Sequence, residues 1–317
     1  MASQRVDGRT TVASYLHMWL RLQRVSAKSP RTIANYEWAI DVWIVPSVGH
    51  ARLRTLRAED VDDVLLAMAE AGKSRSTMTR VRAVLSMALE QAHRRGHVER
   101  NVAALTSVPA GPRARGRSLT VHQAKDLLRT AGDDRLGALV TVGLMLGLRP
   151  GELTGLCWED VDFDAQVLHV RRARIENPGG VVLGEPKTPK SRRSLAMPQA
   201  VREDLARHRR RQQEERRKAG SRWRERGLVF CTTVGTPIDR WSLRRHFVAL
   251  TERAGLGAWQ PKELRHSAVS LLSAAGVPIE QVADVTGHAG TRTILDTYRH
   301  PVQPSVDVAR AVMDELF

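Results

Sequence analysis

The chain has 317 residues, enough for two domains at roughly 100 to 200 residues each, and its 42% hydrophobic and 26% charged composition suits packed cores rather than a disordered or collagen-like polymer. Net charge is +16, with 16 basic against 10 acidic side chains in residues 1–110 and 34 against 24 in the remainder, so both halves suit a polyanionic partner. No apolar run reaches the roughly 18 residues of a membrane span, the N-terminus has no secretory apolar stretch, and Cys157 and Cys231 are too few for a disulfide framework or four-thiolate zinc site, which leads us to expect a cytoplasmic protein with two reduced thiols.

The first hundred residues read as four helices. Val12, Tyr15, Leu16, Trp19 and Leu22 share one stripe, and Ile33, Tyr36, Ile40 and Trp43 a second. Ser29 and Pro30 supply the N-cap and first-turn proline of that second helix, and Pro46 is expected to end it. Val61, Val64, Leu65 and Met68 form a third stripe stopped by Gly72, and Met78, Val81, Leu85 and Ala92 a fourth stopped by Gly96. On that fourth helix Arg75, Thr79, Arg82 and Ser86 share the opposite face. They suit either a track along a phosphate backbone or a solvated polar face.

Residues 106–117, with two prolines, two glycines and three arginines, read as a linker whose Arg113 and Arg115 are placed to follow phosphates. The domains are therefore set at 1–105 and 118–317, the second opening on a capping box of Thr120 and Gln123. A helix is expected through Leu139–Leu148. The pieces QVLHV, VVL and RRSLAM between Gln166 and Met197 predict one short antiparallel sheet, and residues 198–226 an arginine-dense helix. The fold class is mainly α with a small antiparallel β-sheet: an N-terminal helical bundle followed by an α+β domain.

Five local signals follow in that second domain. In LGLRPGEL, residues 146–153, Arg149 leaves an uncharged helix with Glu152 one turn on, fit to grip an anion or simply to end a helix. In EPKTPKSRR, residues 185–193, Lys187 sits in a turn between strands, either entering a cleft or solvated. PKELRHSAVSLLSAAGVP, residues 261–278, presents Lys262 and Arg265 one turn apart on an amphipathic helix. His288 follows a helix capped by Gly287, a place where histidine is also found in purely structural roles. Of the three tyrosines, Tyr15 and Tyr36 belong to apolar stripes, which leaves Tyr298 for chemistry. A nucleophile, several cations and a histidine are the equipment of phosphoryl transfer at a phosphodiester.

This ordered series resembles the catalytic half of the tyrosine site-specific recombinases, the phage-integrase family, over roughly residues 118–300, and the helices before it resemble that family's core-binding domain. The resemblance implies that Arg149 and Arg265 are the paired arginines, Lys187 the hairpin lysine, His288 the histidine-or-tryptophan position and Tyr298 the nucleophile, with Glu152 supporting Arg149. Lys262 departs from the commoner histidine and serves less readily as a neutral base. No separate arm-binding domain is expected before the bundle. The implied reaction is DNA cleavage and rejoining through a 3′-phosphotyrosyl bond, for integration or excision of a mobile element, with no cofactor and no metal.

The implied partners are double-stranded DNA, three further copies in a tetramer on synapsed sites, and an accessory DNA-bending or directionality factor, with nucleoid association and no membrane. The tail 305–317, with Val308, Ala311, Val312 and Phe317 near helical spacing, packs either on a neighbouring protomer or on its own domain. Two other readings stay open at this point: a type IB topoisomerase-like nicking-closing enzyme, and a DNA-binding regulator that kept the fold and lost catalysis.

Overall fold

The structure is a computed structural model that describes residues 6–26, 28–110, 116–177, 180–184, 191–288 and 290–291. Arg113, Arg115, Lys187, Tyr298 and the tail 305–317 lie outside the described residues. The chain falls into two compact units, the first drawn from residues 1–114 and the second from residues 115–176 and 180–317. No helix among the described residues is long and apolar enough to cross a membrane.

The first unit is helical. It comprises α1 (Val12–Arg24), α2 (Pro30–Ala39), α3 (Val45–Val48), α4 (Ala58–Glu70) and α5 (Arg75–Arg94). Ser29 caps α2 and Ser74 caps α5, each accepting from the backbone three residues on, so the two helix starts follow from local chemistry. Tyr15, Trp19, Ile40, Leu65, Met68, Met78, Leu85 and Leu89 are buried in one core. In α1 the stripe is shifted from the sequence expectation. Leu20 is buried at 3% exposure whereas Leu22 stands 39% exposed, because the buried face follows Leu16 by four residues rather than Trp19 by three.

Pro46 does not end the second helix. A π-turn over Ile40–Ile44 joins α2 to α3, and the Val45 N–H reaches back five residues to the Ile40 carbonyl. The widened turn shifts the hydrogen-bond register before the proline, and Pro46 then occupies the first turn of α3, where an N–H is not required.

The second unit opens on α6 (Val121–Ala131), started by the Thr120–Gln123 capping box, and continues through α7 (Gly137–Met145) and α8 (Pro150–Thr154). Every residue of α7 from Gly137 to Leu144 is buried, as expected of a helix apolar all round at the centre of a domain. It stops at Met145, short of Leu148, because Gly147 turns the chain at φ +63°.

The strands are β1 (Val161–Asp162), β2 (Val167–Val170), β3 (Ala173–Asn177), β4 (Gly180–Gly184) and β5 (Arg193–Ala196). They form two sheets rather than one. The order β1-β2-β5 is antiparallel throughout, while β3 and β4 pair separately, so VVL belongs to a different sheet from QVLHV and RRSLAM. After α9 (Gln199–Ala219) come α10 (Arg240–Arg253), α11 (Pro261–Ala274) and α12 (Ile279–Thr286). Cys157 and Cys231 are buried free thiols.

Candidate active site

Arg149 is the N-cap residue of α8 and Pro150 its first helical position. Glu152 sits at the third position, and its carboxylate is bound twice by Arg149: Nη1 donates to Oε1 at 2.7 Å and the backbone N–H to Oε2 at 3.0 Å. The spacing alone brings these together, since residues three apart meet on one turn. Glu152 is 2% exposed while Arg149 remains 38% exposed, so the carboxylate lies beneath the guanidinium and leaves it facing outward. Burial raises the pKa of Glu152, but Arg193 and Arg149 together overcome this and hold it below the usual carboxylate range.

Arg265 arises from α11, which packs closely on α7. A Cβ on Gly143 of α7 would lie 3.0 Å from Leu264, so the absence of a side chain there lets α11 approach. The buried Arg265 donates through Nη1 to the Gly147 carbonyl at 2.8 Å and also to the carbonyl of Thr286.

These arginines meet at the end of α12, which Gly287 closes in the left-handed conformation at φ +65°. Its last carbonyls have no intrahelical partners and carry the negative end of the helix dipole. Three consecutive carbonyls each receive one guanidinium: Val285 from Arg193 Nε at 2.7 Å, Thr286 from Arg265, and Gly287 from Arg149 Nη2 at 2.8 Å.

His288 follows directly, held by its backbone N–H on the Ala283 carbonyl. Its Nδ1 lies 2.7 Å from Thr286 Oγ1, and that hydroxyl donates to the Val282 carbonyl at 2.5 Å. With the hydroxyl proton so committed, Nδ1–H must be the donor and Nε2 carries the lone pair. Burial first, then the charges of Arg265, Arg149, Arg193 and His266, lower the His288 pKa to about 4, so the ring is neutral near pH 7.

Lys262 is exposed on the first turn of α11, one turn before the half-buried His266. Burial, followed by the charge of Lys262, lowers the pKa of His266. Arg149, Glu152, Arg265 and His288 are thus brought together, with Lys262 on the helix that carries Arg265. Neither described tyrosine is disposed for nucleophilic attack. Tyr15 is buried and donates to the Ala88 carbonyl, its pKa pushed up to about 12 by burial, and the Tyr36 hydroxyl points to Met87 Sδ. Among the described residues no cluster of three or more His, Cys, Asp or Glu could hold a metal ion.

Two residues at the site were missed in the sequence. Thr286 orients His288, and Arg193 bonds both Glu152 and the α12 terminus. The signal for Arg193 was its phase, since it lies two and four residues before the buried Leu195 and Met197, on the same face of a strand.

On α5, Arg75 is exposed, but the face expected to follow phosphates is partly consumed internally. Half-buried Arg82 donates to the carbonyls of Ala103 and Thr106, and Ser86 accepts from Asn101 Nδ2 at 3.0 Å. Arg82 therefore ties α5 to the segment after it rather than standing out to solvent, because the chain beyond Gly96 folds back along that face.

A two-unit, mostly helical chain with arginines, a carboxylate and a histidine converging on one helix end is consistent with a tyrosine recombinase. Comparison with known proteins agrees. Residues 117–303 match the phage integrase family, and an integrase of Streptomyces ambofaciens is 38% identical over 318 residues, covering 97% of this chain and 80% of its own length. A XerC-like tyrosine recombinase of Caldanaerobacter subterraneus is 27% identical over 327 residues, covering 97% and 83%.

Among solved structures, the Tn1549 transposon integrase in complex with transposon right end DNA matches at a TM-score of 0.83 with 22% identity, over 96% of this chain and 99% of that one. A lambda integrase dimer bound to a core site matches at 0.66 with 19% identity, over 93% and 97%. The chain belongs to the phage integrase family and is a site-specific tyrosine recombinase.

Proposed function

We propose that this recombinase cleaves DNA by attack of the Tyr298 hydroxyl on a strand phosphate, making a 3′-phosphotyrosyl bond and releasing a 5′-hydroxyl, and that it integrates or excises a mobile element. The observation that carries this reading is the convergence of Arg149 and Arg265 on the α12 terminus, with Glu152 beneath Arg149 and neutral His288 beside them.

Arg149 and Arg265 are the groups for the two non-bridging oxygens, where charge grows in the transition state. Lys187 protonates the leaving 5′-oxygen, and His288, with Lys262 and His266 nearby, serves the proton on or near Tyr298. A 5′-hydroxyl then attacks the adduct, returning the proton to Tyr298, so the bond is conserved without a nucleotide cofactor. The cations supply the positive charge, and we expect cleavage in EDTA.

The first unit is read as the core-binding domain, residues 1–105, and residues 106–117 as the linker, with Arg75, Arg113 and Arg115 on the DNA backbone. The chain's charge of +16 favours a long phosphate footprint. A lambda integrase tetramer bound to a Holliday junction, matched at a TM-score of 0.65, supports a homotetramer on synapsed DNA, to which we add an accessory DNA-bending or directionality factor. The chain acts at the nucleoid.

The test is covalent trapping. Purified protein is mixed with DNA flanking its own gene in EDTA, and protein-linked DNA is read on denaturing gels. An adduct in wild type and none in Tyr298→Phe is the expected result. An adduct in both would move the nucleophile elsewhere, and strict dependence on a divalent metal would overturn the mechanism.

A further inference from the structure

We propose that Arg193 is a positioning residue for strand cleavage: it fixes Arg149 and the backbone before His288 against one another through three chain segments. The proposal rests on the reading of this cluster as the recombinase active site.

Arg193 opens β5 opposite Val170 of β2, and the strand period puts it on the buried side with Leu195. A hydrophobic side chain would satisfy that position. The residue is instead a guanidinium with 7% of its side chain exposed, and burying such a charge is costly unless each donor is matched.

Its three nitrogens reach three different places. Nη2 donates to Glu152 Oε2 at 3.1 Å, Nε to the Val285 carbonyl at 2.7 Å, and Nη1 to the Ser191 carbonyl at 3.0 Å. A planar fork can make these bonds together, whereas an ammonium cannot.

The partners define a closed circuit. Glu152 gives Oε1 to Arg149 and Oε2 to Arg193. Arg149 donates to the Gly287 carbonyl, and Arg193 lies against the same residue, since a Cβ there would fall 2.9 Å from Arg193 Nη1. Arg149 and Arg193 therefore hold Gly287 from two directions while sharing one carboxylate, and His288 is the next residue. Arg193 makes none of the proposed contacts to substrate; it acts through Glu152 and α12.

The test compares Arg193→Met and Arg193→Lys with wild type in single-turnover cleavage of a nicked suicide duplex, alongside DNA affinity and circular dichroism. Arg193→Met keeps the volume and loses the fork, so we expect a folded protein with DNA affinity within about twofold of wild type and cleavage about 100-fold slower, the scale of a misplacement of about 1 Å. Arg193→Lys keeps the charge alone and is expected to stay at least about tenfold slow.

His288 titration, followed by NMR on DNA-free protein, is expected to rise toward its ordinary 6.5 in Arg193→Met and to stay near the wild-type value in Arg193→Lys. That order follows from the charge of Arg193 near the ring, so positioning is read from the rate: a merely structural residue would lower cleavage and DNA affinity together rather than cleavage alone. If Arg193→Met does not fold, Arg193→Lys decides alone. Cleavage within about threefold of wild type by a folded variant, or a His288 titration unmoved in folded Arg193→Met, overturns the proposal. Failure of wild type to form any adduct would sink the functional reading instead, and the NMR titration remains independent of it.

Discussion

His288 Nδ1 and Thr286 Oγ1 lie 2.7 Å apart, and because the threonine hydroxyl is already committed to Val282, this bond selects the tautomer that leaves Nε2 as acceptor. Thr286→Val keeps the shape and removes the selection. We expect cleavage to slow about tenfold, the low side of what positioned proton transfer contributes, with a stability loss of about 1–2 kcal/mol for the lost buried bonds. Nitrogen chemical shifts of His288 that still show a single Nδ1–H tautomer in the variant would refute the assignment.

Stability should fall on mild acidification. Burial lowers His208, whose Nε2 donates to the Val229 carbonyl, and His288 to about 4 from 6.5. A histidine depressed in the folded state leaves stability intact above 6.5 and removes it as pH falls toward 4, because only the unfolded chain binds the proton in that window. At about 1.4 kcal/mol per pH unit, His208 alone accounts for about 2 kcal/mol of loss at pH 5. Urea midpoints at pH 7.5 and 5 measure it, and equal midpoints would show that the rings titrate normally.

Glu152→Gln removes the charge shared by Arg149 and Arg193 while keeping the side chain's size. Breaking a buried pair from one side typically costs about 3–5 kcal/mol, and the retained amide oxygen places this variant near the lower end. Cleavage should also drop at least about tenfold, since Arg149 loses its orienting partner. Its depressed pKa adds a second expectation: the stability Glu152 contributes is present above 4.5 and lost as pH falls below it, so wild type and variant converge in acid. Denaturation curves of the pair at pH 7 and 3.5 test this, and a constant difference would contradict it.

Arg75 and Arg82 should separate cleanly. Arg75→Ala is expected to leave stability within about 0.5 kcal/mol of wild type and to lower the slope of log affinity against log salt by about one, as for a lost phosphate contact. Arg82→Ala should instead cost about 1.5–3 kcal/mol through the carbonyls of Ala103 and Thr106 and leave the salt slope unchanged. Anisotropy titrations over a salt series distinguish them, and a reversed pattern would reverse their roles.

What the sequence by itself determined is what short-range geometry decides. Ser29 with Pro30, Thr120 with Gln123, and Gly287 set helix ends through bonds spanning three or four residues, and Arg149 with Glu152 meets across one turn. The basic charge was legible for the same reason, since composition needs no folding partner.

Only the tertiary structure decided the rest. Arg193 reaches Glu152 and Val285, 41 and 92 residues away, Arg265 reaches Gly147 across 118, and Arg82 turns inward to Thr106 across 24. Such contacts depend on which segments the cores bring together, as does the separation of β3 and β4 from the other strands. An arginine's reading as surface charge, tether or brace is set by the carbonyls and carboxylates that folding places around it.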